Sequence, residues 1–173
     1  MAKQVRSVVK IAKVKSVLAG HNFSIRATED LENGFFVKLG DLEKANLDVH
    51  GMTKPAAGDG EVVLIANDAI IYDNARKGSD QERYYYIEEG KIARGYELAK
   101  HDVVGITKAG IEGNAVEGQY LKMGANYKLV PSATKPATGF AAKVVRFERV
   151  GGIASLNVES EAAEYVMFEV LAN

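Results

Sequence analysis

The 173-residue chain has no cysteine and no tryptophan, and only three prolines and three histidines. Without Cys there is no disulfide, no thiolate nucleophile and no Cys-based metal site, and neither a reducing nor an oxidising compartment is excluded. His21, His50 and His101 lie far apart, and no zinc-binding His pair, calcium loop, nucleophile elbow or kinase signature occurs. An excess of one charge is also missing: 22 Lys and Arg stand against 23 Asp and Glu, so no global field draws the protein to nucleic acid or an anionic membrane. No apolar run reaches a membrane-spanning length, and the stretch around Lys3 and Arg6 is not a signal peptide. The expectation is a chain made without secretion, with no nucleic acid, membrane, metal or cofactor among its partners.

What is present is β-forming sequence and glycine turns. A phrase occurs twice, 84 residues apart, as Gly34 to Gly40 and Gly118 to Gly124: glycine, any residue, aromatic, apolar, Lys, apolar, glycine. Glycine takes positive φ at a turn, and apolar residues alternating with Lys suit a strand with one covered and one wet face. Phe36-Val37-Lys38-Leu39 then aligns with Tyr120-Leu121-Lys122-Met123, either as one strand of a duplicated β-unit or as a chance match. Lys38 and Lys122 are expected to face solvent or a partner.

Val62-Val63-Leu64-Ile65 is a continuous apolar run, as expected of a strand covered on both faces at the centre of the core, with Ile70-Ile71-Tyr72 following. Tyr165 to Leu171 reads as another strand with two apolar faces. The breaker-rich loop Gly51 to Gly60 leads into a strand and has neither P-loop nor dinucleotide spacing. The fold class expected is mainly β, an antiparallel barrel or sandwich-like domain over residues 21–173 in one or two lobes, with few short helices and an N-terminal arm.

That arm, residues 1–20, carries Lys3, Arg6, Lys10, Lys13 and Lys15 with no acidic residue before Glu29. It reads either as a basic docking arm or as an edge strand with solvated lysines. As an arm it would be removable without loss of the fold. Tyr84, Tyr85 and Tyr86 offer apolar area with polar tips, either as a contact patch for sugar or protein or as an ordinary strand. His101 beside Asp102 tempts an acid–base reading, but neighbours on a strand face opposite sides. Glu159, Glu161 and Glu164 read as a solvated acidic turn, since no calcium-spaced oxygen ligands surround them.

In order along the chain, Glu32-Asn33-Gly34 through Gly40, Val62 to Ala66 with Ile71-Tyr72-Asp73, Gly90 to Leu98 with Asp102, Gly118 to Gly124 and the closing Phe168 to Asn173 resemble the capsid decoration, or head-stabilising, proteins of tailed bacteriophages of Gram-positive hosts. The resemblance implies a β-rich virion protein, made in the host cytoplasm, that binds the major capsid protein on the outside of an icosahedral shell as a homo-oligomer, often a trimer. It brings no catalytic residue. The basic residues of the arm then become the candidate capsid contacts. A carbohydrate-binding or host-adhesion module using the three tyrosines is the alternative, and an enzyme acting on polysaccharide a third reading.

Overall fold

The computed structural model describes residues 4–69, 82–150 and 163–173. Lys3, the expected strand at 70–72, most of the loop after it, the stretch 154–158, Glu159 and Glu161 lie outside the described residues. The strands are β1 (Val9–Lys13), β2 (Asn22–Arg26), β3 (Phe36–Glu43), β4 (Asn46–Thr53), β5 (Val62–Ile65), β6 (Ile92–Glu97), β7 (Val103–Thr107), β8 (Tyr120–Met123), β9 (Leu129–Ser132), β10 (Ala141–Val150) and β11 (Ala163–Ala172). A short α-helix, α1 (Lys15–Ala19), links β1 to β2.

The fold is mainly β, as the composition predicts, in two sheets packed on each other. Strands β2-β4-β3-β5-β6 close into a barrel, and β1-β7-β11-β10-β8-β9 form an open six-stranded sheet. β5 shows why its sequence is an unbroken apolar run. Val63 and Ile65 point into the barrel beside Ile25, Val37, Ile87 and Ala93. Val62 and Leu64 point outward into a second core, where Phe36, Tyr96 and Leu98 meet Val104, Ile106, Leu121, Phe140, Val144, Val166, Phe168 and Val170 of the sheet. A strand covered on both faces has no position left for polar alternation. β11 lies between β7 and β10 and is apolar on both faces for the same reason.

The repeated phrase is the visible part of a larger duplication. β2–β6 and β7–β11 run in the same order: the hairpin β3–β4 matches β8–β9, β5 matches β10, β6 matches β11 and β2 matches β7. Phe36↔Leu64, Val37↔Val63 and Lys38↔Val62 in the first unit correspond to Tyr120↔Lys143, Leu121↔Ala142 and Lys122↔Ala141 in the second. The turns agree bond for bond. Phe35 N–H donates to the Glu32 carbonyl and Gly34 N–H to Ile65, while Gln119 N–H donates to Val116 and Gly118 N–H to Val144. Both turn glycines are left-handed, with φ 91° and 77°. Lys38 is partly exposed and lies 3.5 Å from Asp59, and Lys122 is exposed.

The two glycines differ in surroundings. A Cβ at Gly34 would sit 2.6 Å from Ser7 Oγ and 3.0 Å from Ile106 Cγ2, whereas at Gly118 it would meet nothing within 4 Å. Gly118→Ala is therefore expected to cost only the positive-φ penalty, about 1 kcal/mol, and Gly34→Ala that penalty plus overpacking, about 2–4 kcal/mol in all. Urea unfolding of the two variants measures the difference; equal costs would refute the packing of Ser7 on Gly34.

The units also differ in how they cover one strand edge. In the first, β4 is long enough to reach β2 in parallel, at Ser24↔Val49 and Ile25↔His50, which closes the barrel. In the second the hairpin is shorter: residues 124–128 stand where 40–51 stand in the first, and β9 reaches the chain after β7 only through the bridge Ile111↔Leu129. The edge of β7 is taken instead by β1, antiparallel, from Val9↔Ile106 to Lys13↔Val103.

Candidate interaction surface

The N-terminal segment is stitched into the fold from Arg6 onward. Arg6 N–H donates to the Arg83 carbonyl at 2.7 Å, and its guanidinium pairs with Glu32 at 3.2 Å and lies 4.5 Å over the ring of Tyr86. Ser7 N–H donates to the other oxygen of Glu32 at 2.9 Å, and Val8 exchanges bonds with Thr107 through its hydroxyl and its amide, both at 3.0 Å. Ser7, Val8, Val14 and Ser16 are buried. Asp102, also buried, accepts the amides of Lys15 at 3.0 Å and Ala99 at 2.8 Å, fixing the start of α1. Of the two readings of this segment, β1 is the edge strand, and the segment, a strap joining the two units, is not a removable arm, because a buried carboxylate and buried peptide groups depend on it for partners.

Of the basic residues read as capsid contacts, Arg6 is spent on Glu32. Lys10 pairs with Glu148 at 2.6 Å, and Glu148 also takes Arg146; these bonds, that from Lys10 first, hold its carboxyl below the usual range. Lys13 and Lys15 are exposed and have no carboxylate in ion-pairing reach among the described residues. Thr107 N–H bonds Val8 O, so with a period of two the peptide groups of Lys10 face β7, and those of Val9 and Ile11 face away. No described strand pairs with that outer edge. Ile11 is exposed on it, and Val9 and Ile11 line a cleft whose far wall includes Asn33, Ala66, Asn67 and Tyr96.

The three tyrosines do not form a shared flat platform. Tyr84 carries the Arg83 guanidinium 5.1 Å over its ring, Tyr85 packs against the barrel core with its hydroxyl 3.4 Å from Asn67, and Tyr86 lies under Arg6. All three are half-buried.

The acid–base readings resolve into separate contacts. His101, left-handed at φ 74°, pairs with Glu169 at 2.7 Å, away from the two amides that Asp102 accepts. Glu164 accepts from Lys108 and Arg149, and its carboxyl is held low chiefly by Lys108. Ser16, His21 and Glu97 line one shallow cleft, with His21 Nδ1 3.1 Å from Glu97. The Ser16 hydroxyl is buried and has no hydrogen-bond partner among the described residues. Among the described residues no group of three His, Asp or Glu converges as a metal site, and no helix is long and apolar enough to cross a membrane.

Sequence reasoning missed two features of this surface. One is the outer part of the hairpin β3–β4, which carries exposed Leu42 and Leu47 between Asp41 and Asp48. Its tip is held by Arg26, which grips the Glu43 carboxylate beside the turn with two hydrogen bonds and lowers its pKa. The other is the pair Val116 and Val145 on the second unit. The signal for both was the unequal spacing around the two phrases, legible only once the duplication is known. Compared with known protein families, curated proteins and solved structures, the chain matches none.

Proposed function

We propose that the protein is a structural component of a phage particle that binds the outer surface of an icosahedral capsid as a homo-oligomer, with three copies the suspected number, and braces it. The observation that carries this reading is the outer edge of β1, with which no described strand pairs. It presents the peptide groups of Val9 and Ile11 and the exposed side chain of Ile11 beside a cleft, and Lys13 at its end and Lys15 at the start of α1 pair with no carboxylate among the described residues. An edge of this kind accepts a strand from a partner: main-chain bonds supply affinity, and side chains beside the edge supply selectivity. β1 carries Lys10, Lys13 and a register irregularity that discourage indiscriminate pairing, so a strand that adds to it must bring matching charge. The strand that fits is one of the major capsid protein, with carboxylates opposite Lys13 and Lys15.

The rest of the molecule suits a brace. Two β-units share a core, and the strap pins them together through Glu32 and Thr107. Replacing Ile11 with proline removes an outward N–H without removing a ladder bond to β7. Ile11→Pro is expected to leave the melting temperature within a few degrees of the parent and to abolish binding to capsids assembled without the protein. Undiminished binding by a folded Ile11→Pro variant would refute the role of the edge. An adhesion module remains the second reading, and the half-buried tyrosines weigh against the platform it used. A glycan array in which binding is lost on replacing Tyr84, Tyr85 and Tyr86 with Ala would favour it.

A further inference from the structure

In an Asn-Gly sequence the glycine amide nitrogen can attack the asparagine side-chain carbon Cγ, because no Cβ on the second residue stands in the way. A bond forms between that nitrogen and Cγ, the Cγ–Nδ2 bond breaks, and ammonia leaves with the amide proton. Water then opens the five-membered imide, at Cγ to give aspartate or at the main-chain carbonyl to give isoaspartate. Asn33-Gly34 is the only such pair in the chain. It lies in the turn just before β3, under the strap.

The fold ties down each group that this reaction must move. Asn33 is 6% exposed. Its Oδ1 accepts the Asn67 amide at 2.8 Å and its Nδ2 donates to the Asn67 carbonyl at 3.0 Å, so the carboxamide cannot swing toward the next residue while both bonds hold. The nucleophile is held as well: Gly34 N–H donates to the Ile65 carbonyl at 2.8 Å. Ser7, Val9 and Ile106 crowd Gly34 from the other side. The sister unit supplies a control. Its matching turn has an exposed Glu117 before the left-handed Gly118, so the turn itself does not demand asparagine. What Asn33 adds is its pair of bonds to Asn67, which carry the pairing of β5 past Ile65.

We infer that Asn33-Gly34 is a modification site that the fold holds closed, and that its conversion is a one-way step that keeps the turn from re-forming. Aspartate at 33 still accepts the Asn67 amide, but it has no proton for the Asn67 carbonyl and sets a second buried carboxylate next to that of Glu32 in the chain. Isoaspartate also lengthens the main chain by one methylene where Gly34 fits beneath Ser7 and Val9. Either product displaces Glu32, to which the Arg6 guanidinium and the Ser7 amide are bound, and with it the start of the strap. A chain that has opened for long enough to react is thereby marked and barred from its native turn.

Peptide mapping of the purified parent, incubated in mildly alkaline buffer with and without urea, tests this without any substitution. Conversion at Asn33 is expected to run about tenfold or more slowly in the folded protein than in the unfolded chain, because it waits on opening of the turn. Chains converted in urea and returned to buffer should fail to regain the parent's cooperative melt, whereas unconverted chains from the same treatment regain it. Asn33→Asp, which reproduces one product, should lower the melting temperature by several degrees or prevent folding. Equal rates in buffer and urea, converted chains that refold and melt like the parent, or an Asn33→Asp variant with the parent's melt would each overturn the inference. None of these measurements involves shells, so their outcome is separate from that of the capsid reading.

Discussion

Deleting residues 1–14 is expected to cost the protein its fold. The deletion removes β1 from the edge of β7 and withdraws Val8, Val9 and Val14 from apolar surroundings. At about 1.5–3 kcal/mol for each well-buried valine, that loss alone approaches the roughly 5–15 kcal/mol that holds a domain of this size together. The deletion also strips Glu32 of the Arg6 guanidinium and the Ser7 amide, leaving a buried carboxylate with neither partner. Circular dichroism should show loss of the cooperative melt, and a synthetic peptide spanning residues 4–20, added in trans, should restore it. A truncated protein that melts like the parent would contradict the account of the strap and revive the removable arm.

The second large effect is expected at Phe168. Its side chain is fully buried on β11 in the core shared by barrel and sheet, where Phe36 and Phe140 meet at 5.2 Å between ring centroids. Phe168→Ala leaves a cavity between two layers whose backbones are fixed by strand pairing on both sides, so the site cannot collapse. The cost should reach about 3–5 kcal/mol, against about 1 kcal/mol or less for Val145→Ala, which loses an exposed side chain. Denaturant midpoints for the two variants check this. A Phe168→Ala variant within about 1 kcal/mol of the parent would mean that the two sheets do not share one core.

Much of the fold was legible because it follows from local pattern. The run Val62 to Ile65 and the stretch Tyr165 to Leu171 read as doubly covered strands, since their apolar content leaves no wet face. The glycine phrases marked matching turns because both need positive φ. The full extent of the duplication was not legible, because register is set by backbone bonds that accept many side chains. Gly20 and His101 both take left-handed φ before β2 and β7, yet share no chemistry that a sequence comparison could find. For residues 1–20 the edge strand, one of the two readings, is what the structure shows, while its tie to the rest of the fold was not legible, because the lysines dominate the composition and the structural work is done by Ser7, Val8 and Val14 against partners far along the chain. The interaction surface was legible only in part: Lys13 and Lys15 remain candidates, Arg6 is consumed internally, and the hairpin leucines carried no pattern of their own.

Cosedimentation tests most directly the proposal that this body sits on a shell. Purified protein mixed with capsids assembled without it should pellet with them at a saturating ratio. The decorated shells should then resist heating and osmotic shock that breaks bare ones. Protein that stays in the supernatant, or shells equally fragile with and without it, would contradict the account.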